Sequence, residues 1–169
     1  MNVDTTGPSP EEDEDILRVS ICVYSDYDSE IHRDSFIINH YIPEIIEYMD
    51  EDTRTNKKGL LEQCLNSKLS YESCDKKLYT LIQSYLKDTD TTYFVAEDIS
   101  VLERFLIKHL PRTSLLLEQN PRMDLTSVKR IMKMCHVKYA TPIKSRNNLQ
   151  NLSNQHKLIC NMKEALRDR

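Results

Sequence analysis

A chain of 169 residues, 39% apolar and 30% charged, is the size of one domain with a core and lies well away from disordered compositions. Its only two glycines, Gly7 and Gly59, exclude the glycine-rich loops that bring backbone amides onto nucleotide phosphates, and they favour helices over open sheets. The net charge of −4 conceals an asymmetry: residues 1–52 hold fifteen acids against Arg18 and Arg33, a net of −13, whereas residues 101–169 have a net of +9. Such a dipole means that the two ends meet different surroundings or fold back on each other.

Residues 1–15 (MNVDTTGPSPEEDED) combine two prolines, a glycine and a run of acids, and are expected to be a flexible acidic tail. From Ile16 the pattern changes. Leu17, Val19, Ile21 and Val23 alternate with Arg18, Ser20, Cys22 and Tyr24, the period of a strand with one buried face. Residues 25–30 (SDYDSE) read as a turn, and residues 31–39 as a second strand or the start of a helix. Pro43 suits a first helical position, with Ile42, Ile45, Ile46 and Met49 on one side. Residues 50–58 (DEDTRTNKK) read as a polar loop closed by Gly59.

Amphipathic helices follow. Their stripes are Leu60/Leu61/Cys64/Leu65, then Leu78/Leu81/Ile82/Tyr85/Leu86, then Ile99/Leu102/Phe105/Leu106/Leu110 ended by Pro111. Leu125, Val128, Ile131, Met132 and Cys135 form a fourth stripe, and a last helix is expected over 149–167. The fold expected is mainly α: a bundle of five to six helices over 16–169 with one or two short N-terminal strands. The rival is an α+β chain opening with a β-grasp-like ββα unit over 16–50, which needs 31–39 to pair antiparallel with 16–24. An unpaired strand 16–24 needs a partner, a second copy of the chain or another protein.

No basic stretch leads into an apolar run at the N-terminus, and no segment is apolar enough to span a bilayer. With five dispersed cysteines, this predicts an intracellular protein, nuclear or cytoplasmic, with reduced thiols.

Site motifs are sparse. The nearest cysteines are ten positions apart and Cys135-His136 are adjacent, so the paired spacing of structural zinc is not met there. His40, Glu44 and Glu47 share a spacing of four and three but lack a second half-site. Ser73-Cys74-Asp75-Lys76 has a serine–lysine hydrolase spacing without its companion motifs. No enzyme, cofactor or metal site is expected.

The strongest binding signal is a basic segment: Arg122, Lys129, Arg130, Lys133, Lys138, Lys144 and Arg146, with Asp124 the one acid among residues 122–146. Lys129, Arg130 and Lys133 lie opposite the apolar stripe of their helix, a surface suited to an acidic partner, to phosphates or to anionic lipid. The acidic N-terminal segment is an internal competitor for it. Thr141-Pro142 and Ser9-Pro10 have the form of phosphorylation sites. Among nine tyrosines, Tyr24 and Tyr27 beside the first strand are the candidate interface aromatics. The reading is a non-enzymatic protein–protein interaction module, an adaptor or complex subunit. The alternatives are a nucleic-acid-associated protein gripping phosphates through 122–146, and a small viral helical antagonist of host proteins.

Overall fold

The alternation from Ile16 produces a nine-residue strand because its two faces meet different neighbours. The computed structural model describes residues 1–8, 10–25, 28–86, 92–142 and 148–167, without the side chains of Pro10 and Asn148. Strands β1 (Asn2–Thr5), β2 (Ile16–Tyr24) and β3 (Glu30–Ile37) form an antiparallel sheet in the order β1-β2-β3. β3 pairs with β2 through Val19 opposite Phe36 and Ile21 opposite Asp34. That pairing is the one the rival α+β reading required. β2 is therefore a central strand, not an edge awaiting a second copy or another protein.

The N-terminal segment differs from its expected role as a tail. Residues 2–5 supply β1, Met1 and Thr6 are buried, and a 3-10 turn spans Pro10–Glu12. Composition alone misreads this stretch, because its order comes from partners far away in sequence. The Met1 nitrogen donates to the Val95 carbonyl at 2.9 Å, and Arg18 Nε donates to Asp4 at 2.7 Å. Glu11 meets Arg104 at 3.0 Å and Asp15 lies 3.9 Å from His109.

Helices follow: α1 (Ile42–Tyr48), α2 (Glu51–Asn66), α3 (Tyr71–Tyr85), α4 (Ile99–His109), α5 (Pro111–Glu118), α6 (Leu125–Met134) and α7 (Asn148–Arg167). Short strands β4 (Phe94–Ala96) and β5 (Arg122–Asp124) pair in parallel, with α4 and α5 as the crossover that a parallel pair requires. The molecule is thus α+β with a helical majority rather than a bundle with one or two strands. The expected loop 50–58 is the first half of α2, because the Asp50 side chain accepts from the Thr53 amide at 2.8 Å and nucleates it. Pro111 ends α4 and also opens α5, where its missing N–H costs nothing.

The main core joins one face of β2 (Val19, Ile21) to α3, α4 and α5 through Leu78, Ile82, Leu102, Phe105, Leu106 and Leu117. Leu17, Ile45, Met49, Leu61 and Cys64 make a second cluster between β2 and helices α1 and α2. The opposite face of β2, carrying Ser20, Cys22 and Tyr24, meets α7; the Tyr24 ring stacks on His156 of that helix. Ser20 is fully buried as a result and lies 3.2 Å from the Ser35 hydroxyl. A third cluster, Met132, Val137, Leu158 and Met162, fixes the end of α6 to α7.

Candidate functional site

The parallel pair β4–β5 sets the position of the basic helix. Asp124 ends β5, and its carboxylate accepts from the Ser127 amide at 3.0 Å and from the Ser127 hydroxyl at 2.6 Å, capping α6. Those hydrogen bonds hold the carboxyl below its ordinary range even though burial opposes them. α6 then buries Leu125 and Met132 and turns its other side outward.

The basic residues of this segment have separate fates. Arg122 is ion-paired with Glu103, and Lys129 with Glu97 at 2.9 Å. Arg130, Lys133 and Lys138 are exposed, without an acidic partner among the described residues. Ile131 and Met134 stand among them, 58% and 78% exposed, although the apolar stripe expected from the sequence put Ile131 inward. α6 is covered on one side by α7 and β5, and that leaves room to bury two of its large side chains fully. Thr141 is exposed. Lys144, Arg146, Ser9 and Tyr27 lie outside the described residues.

The acidic N-terminal segment covers a different surface from the one expected. Asp4 pairs with Arg18 of β2, Glu11, Asp13 and Asp15 run to Arg104, Lys108 and His109 of α4, and Asp28 pairs with Lys163 of α7. Arg130 and Lys133 keep their outward face. Tyr24 is also not a free interface ring: it stacks on His156 at 3.6 Å between centroids and 6° between planes. Among the described residues the exposed tyrosines are Tyr41, Tyr48 and Tyr93.

The motifs set aside in the sequence have structural settings. His40 precedes α1 and its Nε2 lies 2.8 Å from the Ile16 carbonyl, away from the exposed Glu44 and Glu47. Asp75 is buried and caps α5 from α3, accepting from the Arg112 and Thr113 amides at 3.0 and 2.9 Å. Cys74 is buried beside it, its thiol pushed up to about 12 by burial and then by the Asp75 charge.

One constellation went unnoticed in the sequence. His156 and Cys160, four residues apart on α7, present Nε2 and Sγ 3.5 Å from each other, and Asp28 brings Oδ1 to 3.7 Å from the same nitrogen. Among the described residues this is the one group of three ligand-type side chains whose donor atoms all lie within 4.8 Å. The His-x-x-x-Cys spacing was visible, since residues four apart share a helix face. Asp28, which lies 128 positions before His156 in the chain, was not predictable as its neighbour.

No protein-family model matches this chain, and no curated protein matches its sequence at a significant level.

Proposed function

We propose that this chain is a non-enzymatic protein–protein interaction module, an adaptor or complex subunit, and that the outward face of α6 is its docking surface. The observation that carries the reading is the mixture on that face. Ile131 and Met134 protrude among Arg130, Lys133 and Lys138. A surface built for phosphates gains from lysine and arginine but nothing from an exposed Ile and Met. A protein interface uses both, apolar side chains for affinity and charges for steering and register. The partner suited to it is an acidic protein segment with an apolar stripe. Phosphate on Thr141, at the end of the same basic stretch, reduces the positive charge and weakens that partner.

The test is affinity purification at low and high salt, with and without nuclease, comparing wild type with an Ile131→Ser/Met134→Ser variant. Proteins retained through nuclease and high salt, and lost in the double variant, support the reading. Loss on nuclease treatment, or a steep loss with salt that the double variant leaves unchanged, overturns it in favour of nucleic-acid binding through the same cations.

A further inference from the structure

The β2–β3 turn and α7 bring a carboxylate, an imidazole and a thiol to a common point, and we propose that Asp28, His156 and Cys160 form a binding site for a zinc-type divalent metal ion. The ligand set is mixed oxygen, nitrogen and sulfur, which suits Zn²⁺ or Co²⁺ rather than Mg²⁺ or Ca²⁺. Bond lengths of about 2.3 Å to sulfur and about 2.0 Å to nitrogen put those two atoms about 3.5 Å apart across a tetrahedral angle. The measured Sγ–Nε2 separation is 3.5 Å. The Asp28 Oδ1 at 3.7 Å from Nε2 is within a few tenths of an ångström of the corresponding oxygen–nitrogen spacing.

The arrangement argues against a nucleophilic Cys–His–Asp relay. In a relay the carboxylate holds one ring nitrogen and the thiol the other; here both approach Nε2.

The site is held in place before any ion arrives. Tyr24 stacks on the imidazole and fixes its plane, while its hydroxyl donates to Glu30 at 3.2 Å. Asp28 takes a left-handed conformation, φ 61°, in a turn where its amide donates to the Ser25 carbonyl at 3.0 Å. A cation already sits beside the carboxylate: the Lys163 ammonium lies 3.3 Å from Asp28 Oδ1. A divalent ion displaces that ammonium, takes the three protein donors and a water as fourth ligand, and releases the thiol proton to solvent. The bound ion ties the N-terminal hairpin to the C-terminal helix, two segments far apart along the chain.

The experiment uses the full chain, stripped with a chelator and titrated with Co²⁺ alone. A thiolate-to-cobalt charge-transfer band, with intense visible bands of four-coordinate cobalt, is expected at one ion per chain, and Zn²⁺ should displace them. Cys160→Ser should abolish the charge-transfer band, and His156→Ala or Asp28→Asn should weaken binding by about tenfold or more. Cys135→Ser, which alters an exposed thiol elsewhere, should leave the spectrum unchanged. Lys163→Gln removes the competing ammonium and should tighten binding several-fold, an effect that loss of folding cannot mimic. Absence of the charge-transfer band in wild type, its persistence in Cys160→Ser, or weaker binding in Lys163→Gln each overturns the assignment.

Discussion

Two polar side chains, the buried Asp75 and the largely shielded His109, carry structural work out of proportion to their size. Asp75 accepts the Arg112 and Thr113 amides and the Thr113 hydroxyl, the last at 2.8 Å, at the start of a helix whose own N-cap position, Leu110, has no side-chain acceptor. Asp75→Ala leaves those donors buried and unpaired, so urea denaturation should show a loss of about 2–4 kcal/mol, with Asp75→Asn losing less. His109 is the second. Its side chain is 9% exposed, its ring stacks on Tyr71 at 4.8 Å, and its Nε2 lies 3.0 Å from the Glu14 carbonyl. Burial pushes its pKa below the ordinary imidazole value, a shift that the Glu14 carbonyl and the Asp15 charge only partly offset. The unfolded chain therefore takes up a proton near pH 6.5 that the folded chain refuses, and stability falls as pH drops from about 7 toward the lower folded value. His109→Gln should flatten that dependence, read as the urea midpoint between pH 7 and 5. An unchanged slope would show that other groups set it.

At the scale of elements, helix α2 shows what periodicity misses. Its first half, EDTRTNKK, has no apolar stripe, so the pattern reads as a loop, yet Asp50 caps it and the Leu61/Cys64 half anchors it. Gly59 thus lies inside a helix and not at a loop end, with nothing within 4 Å of where a Cβ would stand. Gly59→Ala should raise stability by about 0.5–1 kcal/mol by chemical denaturation, and a loss there would contradict the helical assignment. Elements with strong patterns were legible: β2 runs over the residues its alternation marked and α4 follows its apolar stripe, whereas α6 forms where expected but leaves Ile131 and Cys135 of its stripe exposed. β1, β4, β5 and α5 were not. They run three to eight residues, too short to display a period, and each exists because something distant completes it.

At the scale of the whole molecule, the charge asymmetry resolves into contacts. The acidic N-terminal segment reaches α4, Asp28 reaches α7, and Arg130, Lys133 and Lys138 are left outward. Removing residues 1–6 tests how far the N-terminus belongs to the fold. It deletes β1, exposes one side of β2 and takes the buried Met1 and Thr6 away. The melting temperature should fall by several degrees, since even about 1 kcal/mol moves a chain of this size by a few degrees. A detached tail would leave it unchanged.

The chain's own pattern of apolar and polar residues determined the apolar-striped helices, strand β2 and the presence of a basic helix, because those properties are carried by neighbours in sequence. Tertiary structure alone decided that β2 is central, that the acidic segment is ordered, that Tyr24 packs against α7 and not outward, and that Ile131 is exposed. It also decided that Asp28 meets His156 and Cys160. Each of these depends on which distant surface comes to lie alongside, and local periodicity holds no record of that.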